Sequence, residues 1–188
     1  TIGSLGAFAL SMVNSFKREI SPALVLLFAA FEGMFIGAFS KFIDSMFSTS
    51  DSGNLVVQAV IGTFAAFAGT LAAYKFFNIR VTPKFTKIVV IATIAFAVAM
   101  LVNFLLSLAG INLGLRDGGT GPVSLLAVGV ALLGAVLAVL NLVLDFDYIE
   151  KGVAMGAPAR ESWRGAFGLT VTMVWLYIEI LRLLSYLR

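Results

Sequence analysis

The sequence predicts an all-α fold, a polytopic bundle of about six transmembrane helices. Three observations carry that expectation: 60% of the 188 residues are hydrophobic, only 12% are charged, and mean hydropathy is strongly positive. A typical soluble domain is about 45–50% apolar and about 25% charged. Its exterior must face water, which leaves no place for this much apolar surface. Lipid removes that constraint.

The elements follow in order. The first apolar stretch, residues 2–16, falls short of the ~20 residues that cross the hydrocarbon. The chain opens at Thr1, so the expectation is a start inside a helix with N-terminal sequence missing. Five longer stretches occupy residues 23–39, 55–77, 88–111, 123–144 and 166–187, each near or beyond the length needed at a rise of about 1.5 Å per residue. Backbone polar groups find no water in hydrocarbon, so these stretches must be helices. The breaks are punctuated accordingly. Lys17-Arg18-Glu19 precedes Ser21-Pro22, residues 48–54 are polar, residues 80–87 hold Pro83, and residues 116–122 are Gly-rich with Pro122 at a helix start. With no repeat and no linker, residues 1–188 read as a single transmembrane domain.

Loop charge orients the bundle. Lys17 and Arg18 sit in the first connection, Lys75, Arg80, Lys84 and Lys87 around the third, and Lys151, Arg160 and Arg164 around the fifth. The second and fourth carry only Lys41 and Arg116. The strongly basic odd connections belong on the cytoplasmic side. The basic residues form no tract, so the net charge of +3 marks membrane orientation, and the expected partner is the lipid bilayer rather than nucleic acid. The absence of Cys and His excludes disulfide, thiolate and imidazole chemistry. Any proton or cation chemistry falls to carboxylates.

Charged residues at membrane depth are the informative ones, because each costs ~2.5–3.5 kcal/mol or more at the bilayer centre unless paired or hydrated. Glu32 lies inside the second stretch, Asp145 at the end of the fifth, and Glu179 and Arg182 in the last. Glu179 and Arg182, three residues apart, share a helix face. Two readings stand: a local ion pair that neutralises itself, or a face that points inward and meets carboxylates from neighbouring helices. Two acids brought together away from water compete for one proton, which would couple a cation pathway to pH. Asp145 directly follows an unbroken apolar run, whereas Asp147, two residues on, points elsewhere and suits a solvated helix end. Gly33 and Gly37 have the small-xxx-small spacing of close helix packing. Glu32 needs a partner, for which Arg182 is the candidate; Gln58, Asn103 and Asn141 read as interhelical hydrogen-bonding residues.

These same residues carry a resemblance to the transmembrane Bax inhibitor motif family, in its bacterial YccA-like branch. Glu32-Gly33-Met34-Phe35-Ile36-Gly37 resembles the family's Glu-Gly-x-x-x-Gly helix, Asp145-Phe146-Asp147-Tyr148-Ile149 its Asp-x-Gln-x-Ile segment, and Leu176-Tyr177-Ile178-Glu179 its Leu-Tyr-x-Asp. The likeness implies a seven-helix fold with a central last helix, its first helix absent here, in a bacterial inner membrane. It also implies a pH-sensitive calcium leak gated by an acidic pair, which falls on Asp145 and Glu179. Glu179 stands where the family has Asp, and Asp147 where it has Gln. Glu32, Arg182 and Asp147 would form the supporting polar network.

The expected function is thus a pH-sensitive calcium or cation leak, with calcium as the transported ion, bound weakly at Asp145 and Glu179, and no cofactor. Two carboxylates supply far fewer than the 6–8 oxygens calcium prefers, and weak binding suits conduction. The alternative is a non-conducting regulator that binds a membrane AAA protease, as YccA-like relatives imply. Catalysis is not expected: the paired acids of an intramembrane aspartyl protease would come with a Gly-x-Gly-Asp element, which is missing.

Overall fold

The computed structural model describes residues 2–16, 21–47, 54–77, 79–111, 113–116 and 124–187. The basic first connection at 17–20 and most of the Gly-rich turn before Pro122 lie outside the described residues. Among those described there are six α-helices and no strand: α1 (Ile2–Phe16), α2 (Pro22–Phe47), α3 (Leu55–Phe76), α4 (Pro83–Leu108), α5 (Leu125–Ala154) and α6 (Ser162–Tyr186). A short 3-10 turn, Ala159–Glu161, leads into α6.

Five segments, Pro22–Ser45, Leu55–Phe76, Pro83–Leu108, Leu125–Ala154 and Ala159–Tyr186, are long and apolar enough to cross a membrane. The expected all-α membrane bundle is the observed one. Its helices outrun their apolar stretches where local chemistry supports them. α2 continues to Phe47 through Lys41 and Asp44, and α5 continues past Asp145 to Ala154. In that last part Lys151 pairs with Asp147 one turn back, at 2.6 Å, an i,i+4 contact that supports a helix at the interface. α4 starts early because Thr82 caps Phe85 N at 3.2 Å and Pro83 fills the first turn. Hydropathy marks the hydrocarbon; capping and charge pairing mark the helix ends.

α6 runs through the middle. It packs along α5, α3 and α2. Near its start Phe167 joins a cluster with Ala7 of α1 and Phe28 of α2. Halfway along, Trp175 meets Phe96 of α4 with ring centroids 5.8 Å apart. Leu142, Leu176 and Leu181 are sealed in the α5–α6 and α3–α6 contacts. α4 lies outermost and exposes Ile88, Ile91, Ile94, Val98 and Leu101, a surface stable only against lipid.

Two helix ends matter for the site. α4 and α5 both stop in a Schellman turn, with Gly110 at φ 80° and Gly156 at φ 67°. Ile111 N bonds Leu106 O at 2.9 Å, and Ala157 N bonds Gly152 O at 3.0 Å. The first turn folds the chain back over the end of the bundle, where Arg116 enters it. The glycines in α2 behave differently from their spacing. Nothing lies within 4 Å of a Cβ built at Gly33 or Gly37, and both border a cleft of about 620 Å³ between α2, α3 and α6. Close approach instead uses Gly3 and Gly6 of α1, where a Cβ would come within 3.0 Å of Phe35 N and 2.5 Å of Phe31 Cδ1.

Candidate functional site: two acids along the central helix

α5 and α6 are antiparallel, and their register decides what each acid meets. Asp145 of α5 lies level with Gly168 and Thr172 of α6. Thr172 Oγ1 donates to Asp145 Oδ2 at 2.7 Å. Gly168 makes room for the carboxylate, since a Cβ there would stand 3.3 Å from Asp145 Oδ1. Asp145 borders a cavity of about 310 Å³ that Asn14, Ser15, Tyr148 and Arg164 also line. Arg164 is held by Glu161, with Nε to Oε2 at 2.8 Å. The cavity sits at the end of the bundle that carries the basic odd connections.

Glu179 occupies a different level. It is 1% exposed, and Arg116 Nη2 donates to its Oε1 at 2.6 Å. Trp175 Nε1 donates to the same oxygen at 3.3 Å. The guanidinium is itself cradled. Its Nε donates to Met100 Sδ at 2.8 Å, and it stands 5.9 Å above the Phe96 ring, within the range of a cation–π contact. Gly134 lets α5 pass this close: a Cβ there would fall 2.8 Å from Glu179 Cδ and 2.9 Å from Phe96 Cζ. Glu179 Oε2 is buried without a hydrogen-bond partner.

The structure does not bring Asp145 and Glu179 together. Asp145 is bound to Thr172, and seven residues of helix, about 10 Å of rise, separate Thr172 from Glu179. Each acid has its own partner. The i,i+3 spacing of Glu179 and Arg182 does not produce an ion pair either. Arg182 lies within electrostatic reach of Glu179 and of Tyr186 on its own helix, while the ion-pair contact of Glu179 is with Arg116. Among the described residues no ion pair joins Glu32 to Arg182; Glu32 is half-buried on α2. Asp147 pairs with Lys151 near the end of α5, away from Asp145's partners. Asn141 bridges helices, its Nδ2 donating to Thr93 Oγ1 of α4 at 2.8 Å. Among the described residues no group of three or more acids is placed to hold a metal ion.

Sequence reasoning missed Arg116 and Asn14. Arg116 left one signal, as the single basic residue of a connection otherwise free of them, opposite a last helix that carries a buried acid. Asn14 left only its polarity in an apolar run.

Five membrane-length helices, one of them threaded through the centre and carrying one acid while a second bonds to it from α5, define an integral membrane protein of the helix-bundle class. The pattern of the Bax inhibitor 1 like family matches residues 1–188, and the chain belongs to that family. No curated protein and no solved structure matches it. Family and fold together make it a membrane regulator or channel-like protein.

Proposed function

We propose that the protein is a pH-sensitive cation leak, with calcium among the ions it passes, and that Asp145 and Glu179 act at separate levels of α6. The observation that carries this reading is the arrangement of two acids at separate levels of the central helix, Glu179 on α6 itself and Asp145 on α5 bonded to its Thr172. One borders a polar cavity; the other is covered by an arginine from the opposite end of the bundle. An ionised Asp145 draws cations into the cavity, which the positive-inside reading puts on the cytoplasmic face. Arg116, a tethered cation on Glu179, blocks the way out at the far end. Protons enter the scheme at Asp145, since its carboxylate attracts cations only when ionised. Flux therefore rises with pH through the titration of Asp145.

The supporting groups have definite roles. Thr172 orients the Asp145 carboxylate, Gly168 keeps the space beside it open, and Phe96, Met100 and Trp175 hold Arg116 and Glu179 in register. The test is calcium entry into proteoliposomes. Wild-type protein admits calcium above the protein-free rate, and Asp145→Asn lowers entry toward that rate at every pH. Wild-type flux equal to that of empty vesicles at all pH values overturns the proposal and leaves the non-conducting regulator.

A further inference from the structure

The cavity beside Asp145 contains a second feature that the leak reading does not use. Asn14, near the end of α1, lines this cavity and is 1% exposed. Its Nδ2 donates to Leu24 O of α2 at 3.3 Å. That bond fixes which end of the amide faces α2. Its carbonyl oxygen, Oδ1, is buried with no hydrogen-bond partner. A buried amide oxygen without a donor is unfavourable and uncommon in folded proteins. It calls for a positive or proton-donating partner.

The other groups around the cavity agree on the sign of that partner. Asp145 brings a carboxylate from α5, with Oδ2 pinned by Thr172 and Oδ1 over the bare Cα of Gly168. Ser15 and Tyr148 are neutral residues with hydroxyl oxygens. Among the described residues that line it, the one cationic side chain, Arg164, is paired with Glu161. A carboxylate, an amide carbonyl and hydroxyls form an all-oxygen donor set of low charge, in a space roomy enough for water. Such a set suits a hard, partly hydrated cation that accepts irregular coordination, as calcium does and magnesium does not.

We infer that Asn14 and Asp145 together form a cation-binding site at the meeting of α1, α5 and α6, with Asn14 Oδ1 as its second protein ligand and water completing the shell. This deepens the leak reading and takes its physiological meaning from it, but binding is measurable by itself. Two protein ligands make a weak site, one an ion leaves as readily as it enters. The site also accounts for α1, because the hairpin of α1 and α2, closed by Gly3 and Gly6, carries the amide to the carboxylate.

The experiment uses the whole chain in detergent. Terbium, a luminescent calcium surrogate, is excited through Tyr148 at the cavity wall, and calcium is titrated in as competitor. Wild-type protein gives sensitised emission that calcium removes. Asn14→Ala and Asn14→Leu each weaken calcium competition about tenfold, the scale of one lost interaction with a charged partner. The Leu variant fills the space that Ala would leave empty. Unchanged competition in either folded variant overturns the inference. A measurement on unaltered protein covers the case in which both variants misfold. With asparagine side chains labelled with 15N, calcium shifts the Asn14 amide resonance, and a resonance that stays put at saturating calcium overturns the site. Calcium flux in wild type together with competition indifferent to Asn14 would remove the site and spare the leak. Asn14-dependent binding without flux would remove the leak and spare the site.

Discussion

Replacing Arg116 by Gln is the perturbation whose size the structure sets most closely. The variant keeps a polar side chain of similar reach and removes the positive charge from Glu179. That acid is 1% exposed, so an ionised Glu179 would lose its ion-pair partner and keep only the Trp175 indole at 3.3 Å and the longer-range field of Arg182. Breaking a buried pair from one side costs about 3–5 kcal/mol. Arg116 keeps 21% of its side-chain surface exposed, which favours the lower end, about 3 kcal/mol. For a chain of this length each kcal/mol moves the melting midpoint by about 2–4 °C, so Arg116→Gln should melt about 6–12 °C lower. Glu179→Gln should cost less, because the freed arginine reaches water. The double variant Arg116→Gln/Glu179→Gln should melt close to Glu179→Gln alone, since no charge is then stranded. The assay is thermal unfolding of the four proteins in one detergent, read as a double-mutant cycle. Additive effects of the two single substitutions would refute the coupling and with it Arg116 as the tethered cation on Glu179.

The remaining predictions concern the same two levels. Gly134→Ala should destabilise by about 1–3 kcal/mol, because its Cβ would overlap Glu179 and Phe96, whereas Gly129→Ala, with nothing within 4 Å, should melt as wild type; equal melting of the two would count against the packing. Thr172→Val removes the hydroxyl that donates to Asp145 and should cost about 1–3 kcal/mol in the same assay. In liposomes the calcium flux of Asp145→Asn should lose the rise with pH seen in wild type, since the amide does not titrate; a retained rise would put the proton elsewhere.

The sequence foretold the helices well and the contacts between them unevenly. Apolar stretches near the length of a bilayer leave few alternatives to helices, and five of the described helices are long and apolar enough to span. The ends were harder to foresee, because Asp147 with Lys151 and Thr82 with Pro83 extend helices beyond the hydrocarbon through capping and charge rather than hydropathy. Asp145 could be picked out as the acid that follows an unbroken apolar run. Its partner could not, because the register of α5 on α6 is set by packing at Leu142, Phe146 and Leu176. That register places Thr172 rather than Glu179 opposite it. Arg116 was out of reach for a different reason. A loop residue reaches the core only if the chain doubles back, and that depends on the left-handed turn at Gly110. Likewise the spacing of Gly33 and Gly37 fits close packing but does not say which helix is there to pack; the structure has an open cleft at that place.

The most direct measurement of the whole account is the initial rate of calcium entry into proteoliposomes carrying equal amounts of wild-type protein and Arg116→Gln, under one gradient and at one pH. With the arginine gone from Glu179, the account predicts faster entry through the variant than through the wild type. Entry no faster than wild type, in a variant that remains folded in the bilayer, would contradict it.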